Sequence, residues 1–94
     1  MAITLKFIGA LRHASGTDSL ALNCRKATSL MNILNEVTKE APSLRRSLLD
    51  EQLDEPKASA LILVNGKEIS VLNGLETKVK DGDEIVFVPV VHGG

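Results

Sequence analysis

The sequence predicts a small α+β domain in which one main helix packs on one face of a mixed sheet of four to five strands. Three observations carry this. The first residues alternate apolar and polar, a single helix-periodic stretch follows, and the last third interleaves turn dipeptides with β-forming runs. At 94 residues the chain has room for one core only. With 44% apolar and 24% charged residues its composition is globular, not disordered, collagenous or membrane-like. A chain of this length buries roughly 60–65% of its unfolded surface, too little depth for a large enclosed active site.

Ile3-Thr4-Leu5-Lys6-Phe7-Ile8 reads as a strand with Ile3, Leu5 and Phe7 facing the core. Gly9 to Asp18 is a connection, in which Leu11 and Ala14 fit a single helical turn and Gly16-Thr17-Asp18 supplies turn chemistry. Leu20-Ala21-Leu22 reads as a short second strand. Thr28 or Ser29 opens the main helix. Leu30, Ile33, Leu34, Val37 and Ala41 share one helical face, Thr28 offers a cap, and Pro42 ends the element by disfavouring helix at Ala41. From Ser43 to Lys57 the pattern weakens. Leu44, Leu48 and Leu49 fit another helical turn, while Asp50 to Pro56 reads as a solvated loop.

Asn65-Gly66, Asn73-Gly74 and Asp81-Gly82 are turn dipeptides of the kind that type I′ hairpins require. Residues 61–64 and 67–70 flank the first as a hairpin. Residues 84–91 form a strand apolar on both faces up to Pro89, the pattern of a central strand. Local rules alone make all three dipeptides successive hairpins, a four-stranded meander. The order also fits a last strand lying parallel beside the first, with Phe7 and Phe87 meeting on neighbouring strands. That second arrangement is preferred, because residues 85–88 need cover on both edges.

Eleven Lys plus Arg against twelve Asp plus Glu leave a net charge of −1, which argues against nucleic acid or an anionic membrane as partner. Phe7 and Phe87 are the only aromatics, so there is no base-stacking platform. Cys24 is the only cysteine, which rules out an internal disulfide and a thiolate-rich zinc site. It reads as a small buried hydrophobe. No apolar run approaches the ~20 residues of a membrane helix, and the start does not read as a signal peptide. The expectation is a cytoplasmic protein, a monomer when alone. Gly66-Lys67 is no phosphate loop, since Leu61 stands where the first glycine belongs. Asp81, Asp83 and Glu84 lack calcium-loop spacing and read as turn and strand-start residues, and His13 reads as a surface residue. No metal and no cofactor is expected on this chain.

The C-terminus remains. After Glu84 no charged side chain precedes the α-carboxylate, and the chain stops at Gly93-Gly94. A flexible tail from about residue 90 is expected. Four residues beyond Val90 reach about 14 Å, enough to thread a narrow channel in a partner. The same ending also reads as a frayed terminus, or an accident of where the sequence stops. Val86, Val88 and Val90 share one strand parity. One helix covers one sheet face, so these residues, continued by Val91 and His92, are the candidate partner surface.

Leu63-Val64-Asn65-Gly66-Lys67-Glu68-Ile69, Leu72-Asn73-Gly74-Leu75-Glu76-Thr77, Lys80-Asp81-Gly82-Asp83-Glu84-Ile85 and Pro89-Val90-Val91-His92-Gly93-Gly94 resemble the MoaD family. MoaD is the small subunit of molybdopterin synthase, with a ubiquitin-like β-grasp fold. The likeness is specific from Leu61 onward and generic before it. Two departures stand out: Val90 follows Pro89 where the family commonly has a second proline, and His92 replaces a small residue, an ending similar to that of the ubiquitin-related modifier. The resemblance implies a single β-grasp domain over residues 1–94 that is a sulfur carrier and not itself an enzyme. Gly94 would be adenylated and then thiocarboxylated, and Gly93 would give clearance in the channel. A MoeB-type activating enzyme would supply ATP and Mg, a sulfur donor the sulfur, and a MoaE-like large subunit the pterin acceptor. The alternatives are attachment of Gly94 to lysines of target proteins, sulfur delivery to tRNA, or a β-grasp binding module with an inert tail. A thiamine-pathway carrier of the ThiS type fits less well, because those chains are usually shorter and lack a segment like 43–57.

Overall fold

The alternation at the chain start becomes β1 (Ile3–Phe7), followed by a single helical turn, α1 (Leu11–Ser15), and β2 (Ser19–Leu22). The structure, a computed structural model, describes residues 2–52 and 54–90. Next come the two-residue β3 (Thr28–Ser29), the main helix α2 (Leu30–Val37), a second helix α3 (Pro42–Leu48), and the short β4 (Leu49–Asp50) and β5 (Lys57–Ala58). The chain then forms β6 (Leu61–Val64), β7 (Lys67–Glu68), 3-10 turns at Ile69–Val71 and Gly74–Glu76, β8 (Lys78–Val79) and β9 (Glu84–Val88).

The main sheet runs β2-β1-β9-β6-β7, with β1 and β9 parallel and the other pairs antiparallel. This is the preferred arrangement, and it is a ubiquitin-like β-grasp with a mixed five-stranded sheet. Ile85 and Phe87 of β9 are buried between Leu5 and Phe7 of β1 and Ile62 and Val64 of β6. The Phe7 and Phe87 rings stack at 5.2 Å between centroids, 14° from parallel. Leu30, Ile33 and Leu34 of α2 and Leu44 and Leu48 of α3 close the core from one side.

The main helix differs at both ends from its expected form. Ser29, not Thr28, is the cap: its Oγ accepts the Asn32 N–H at 3.1 Å. The helix stops at Val37, before Ala41. Thr38 (φ −98°, ψ 5°) still donates its N–H and hydroxyl to the Leu34 carbonyl at 3.0 and 2.7 Å, but the Ala41 N–H then bonds the Thr38 carbonyl at 3.0 Å in a tighter turn. Pro42 does hold Ala41 outside helical geometry (φ −136°, ψ 74°), but it also opens α3 from the first helical position, where a missing N–H costs nothing. The leucines of the weak segment thus become a helix and a bridge, with Leu44, Leu48 and Leu49 all buried.

The three turn dipeptides take three different geometries. Asn65 (φ 51°) and Gly66 (φ 82°) are both left-handed, the type I′ turn expected between β6 and β7. Asn73-Gly74 is no hairpin. The Thr77 hydroxyl accepts the Asn73 N–H and donates to the Gly74 carbonyl, winding a 3-10 turn there. Asp81-Gly82 joins strands that are not neighbours, since β8 pairs with β3. The strand expected over 67–70 ends at Glu68, whose carboxylate draws in the Ser70 N–H and hydroxyl. That over 84–91 ends at Val88, ahead of Pro89, which has no ladder donor.

A Cβ on Gly66 would meet nothing within 4 Å, so Gly66→Ala tests backbone conformation alone. It is expected to cost on the order of 1–2 kcal/mol in urea unfolding. An unchanged midpoint would refute the left-handed requirement.

Candidate functional site

The parallel pairing of β1 and β9 brings the end of β9 to the sheet edge at which β1 also ends, beside Ile8 and Gly9. Strand period two then sorts β9. Ile85 and Phe87 face the helices, while Glu84, Val86 and Val88 stand on the face opposite them, half-buried among their neighbours. Register sets Val86 opposite Leu63 and Val88 opposite Leu61. With Ile8 (45% exposed), Leu61 (38%) and Val90 (47%), these valines form an apolar strip leading to the point where the chain leaves the sheet. At its far end Lys6 Nζ and Glu84 Oε2 pair at 3.0 Å, an ion pair about half exposed and worth at most about 1 kcal/mol. Val86 and Val88 thus share the half-buried face away from the helices, and exposed Val90 follows two residues beyond Val88. Val91, His92, Gly93 and Gly94, the other candidate site residues, lie outside the described residues.

The aspartates before β9 hold the strand start in place. Asp81 Oδ1 accepts the Cys24 N–H at 3.1 Å. Asp83 accepts the Lys80 N–H at 2.8 Å and the Asn65 side-chain amide at 3.0 Å, and Asn65 in return bonds both the N–H and the carbonyl of Glu84. These carboxylates are turn and strand-start groups, as their spacing indicated. His13 is exposed. Cys24 is half-buried, not fully so, with its thiol donating to the Lys26 carbonyl at 2.6 Å. Among the described residues no three His, Cys, Asp or Glu side chains gather to hold a metal.

Two features escaped the sequence reading. Arg45 on α3 forks onto Glu51 (2.6 and 3.0 Å) while its Nη1 donates to Asn35 Oδ1 and Thr38 Oγ1, tying both helices to the loop after β4. The Arg45 hydrogen bond holds the Glu51 carboxyl below the usual carboxylate range and raises the guanidinium in turn. A wide groove of about 1200 Å³ also opens beside Val90, lined in part by Met31, Lys57, Leu61, Ile69 and Leu75. Neither leaves a signal in sequence spacing, because the Arg45 cluster joins three separate elements and the groove more.

Comparison with known proteins agrees with this geometry. The ThiS family matches residues 5–94. Small archaeal modifier protein 3 of Haloferax volcanii is 28% identical over the whole of both chains. Ubiquitin-related modifier 1 of Schizosaccharomyces pombe is also 28% identical, again over all of both. The solution structure of small archaeal modifier protein 1 from Methanosarcina acetivorans superposes with a TM-score of 0.79 at 35% identity, covering 99% of this chain and 96% of that one. The match across the sheet and through the terminal di-glycine makes this chain a member of the ThiS family of ubiquitin-like sulfur carriers and modifiers.

Proposed function

We propose that the Gly94 carboxylate is the reacting group and that this chain carries sulfur on it as a thiocarboxylate. The supporting observation is that the family match runs through Gly94 while a partly exposed apolar strip leads along β9 to the base of that tail. A free α-carboxylate, with a pKa of about 3.3–3.7, is anionic and a poor acyl donor. Activation cures this. A carboxylate oxygen attacks the α-phosphorus of ATP held with Mg²⁺ on a MoeB-type enzyme, the bond to the β-phosphate breaks, and pyrophosphate leaves. Hydrosulfide then attacks the acyl carbon of the mixed anhydride, AMP departs, and the thiocarboxylate remains. Gly93, without a side chain, lets the terminus pass a narrow channel. With a MoaE-like large subunit the sulfur would go to a pterin precursor in molybdenum cofactor synthesis.

A second reading is favoured by the relatives matched over their full length, whose names are those of protein modifiers. In it a lysine amine of a target protein attacks the same adenylate, and an isopeptide bond replaces the thiocarboxylate. Delivery of the sulfur to a tRNA base would start from the same thiocarboxylate.

Incubated with ATP, Mg²⁺, hydrosulfide and a MoeB-type enzyme, the protein should gain the mass difference between sulfur and oxygen. Adding one residue after Gly94 should abolish the change, because it displaces the carboxylate by about 3.5 Å and reactive alignment tolerates far less. Cys24→Ser should leave it intact. No ATP-dependent change in the wild type, or sulfur found on Cys24, would overturn the carrier reading. Isopeptide ladders on denaturing gels would select the modifier, and co-purification of a MoaE-like subunit the molybdopterin route.

A further inference from the structure

We propose that Gly9 is a positioning residue for the tail: its missing side chain makes the seat for the Pro89 ring, and that seat sets the direction in which the chain leaves the sheet at Val90. The proposal rests on the carrier reading, in which the tail has to be presented to an activating enzyme. The last bond between β1 and β9 runs from the Ile8 N–H to the Phe87 carbonyl at 3.0 Å. Pro89 has no N–H, so no ladder bond can hold it through its own nitrogen. What meets it is Gly9. A Cβ built on Gly9 would lie 3.2 Å from Pro89 Cγ and 3.8 Å from Cδ. The first distance is inside the ~3.5–4.0 Å optimum for carbon pairs.

Backbone freedom alone does not explain this glycine. At Gly16, Gly66 and Gly74, which also have positive φ, a Cβ would meet nothing within 4 Å. Gly9 combines φ 59° with a neighbour packed into the space a side chain would fill. Neither side has an easy retreat. Gly9 is pinned into α1 through its carbonyl, which accepts the Arg12 N–H at 3.1 Å, and Leu11 of that turn is buried in the core. Pro89 follows Val88 directly, two residues after the fully buried Phe87. The ring is thus referenced to the core on both sides, which fixes the direction of the backbone into Val90.

The test is a double-mutant cycle read by the rate of ATP-dependent acyl-adenylate formation with a MoeB-type enzyme, by the amide chemical shift of Val90, and by thermal midpoint. Gly9→Ala is expected to slow adenylation at least tenfold and to move the Val90 amide. Pro89→Ala, which removes the ring but keeps β9, is expected to slow it a few-fold. The double variant should be no slower than Pro89→Ala alone, because the clash needs both partners. Both variants that carry Gly9→Ala should lose midpoint from left-handed strain, the single variant more, because it alone also carries the clash. Unchanged Val90 shift and rate in Gly9→Ala would overturn the proposal, as would a double variant as slow as the product of the singles. Should Gly9→Ala not fold, Pro89→Ala decides alone, and an unchanged adenylation rate there overturns the seat. The amide shift tests the seat even if the wild type is never adenylated, an outcome that would instead sink the carrier reading.

Discussion

Replacing Phe87 with alanine is expected to cost about 3–5 kcal/mol in urea unfolding, the range for truncating a buried aromatic. Domains of this size hold on the order of 5–15 kcal/mol in total, so this one change removes a large fraction of the stability. Phe87 is fully buried on the middle strand of the sheet. Its ring stacks on Phe7, and its register neighbours are Phe7 on β1 and Ile62 on β6. Deletion therefore opens a cavity where both strand interfaces meet the helices, with rigid β backbone around it that collapses poorly. Phe87→Leu, which keeps most of the volume, should cost markedly less. A loss below about 1 kcal/mol for Phe87→Ala would mean that the two-ring stack is not the centre of the core.

One position further along the strand the sign of the effect changes from stability to binding. Val88→Asp is expected to weaken binding to the activating enzyme by about 2 kcal/mol or more, roughly thirty-fold, as removal of a central interface anchor does. Its own stability should fall by only about 1 kcal/mol, the span of strand propensities. Val88 lies on the face away from the helices, beside Leu61 and along the strip that ends at Val90. A carboxylate there puts an unpaired charge into the middle of an apolar contact. Val90→Asp should act in the same direction, and Glu36→Lys, on the exposed surface of α2, should leave binding unchanged. If Val88→Asp and Val90→Asp both bind normally, recognition lies elsewhere. Arg46, exposed on α3, is then a better candidate than Arg45, whose guanidinium is occupied by Glu51, Asn35 and Thr38.

Much of this was legible without coordinates. The parity of Ile3, Leu5 and Phe7, the face of Leu30, Ile33 and Leu34, and the split of Val86 and Val88 from Ile85 and Phe87 follow from strand and helix periods acting over neighbouring residues. The Asn65-Gly66 turn was equally plain, because two left-handed residues in succession are a local demand that few dipeptides meet. The same local rule failed at Asn73-Gly74, where one hydroxyl four residues away, on Thr77, rewound the chain. It also missed that α2 would end at Val37 and that Pro42 would start α3.

The sequence by itself determined much of the core and which residues of the last strand face away from it. Only the tertiary structure decided that β6 is the second neighbour of β9, that Asn65 and Asp83 lock its start, and that Gly9 lies under Pro89. Propensity and periodicity act between residues a few positions apart. Strand partnership is selected by burial of Ile85 and Phe87 on both edges at once, an energy that exists only when distant segments have already met.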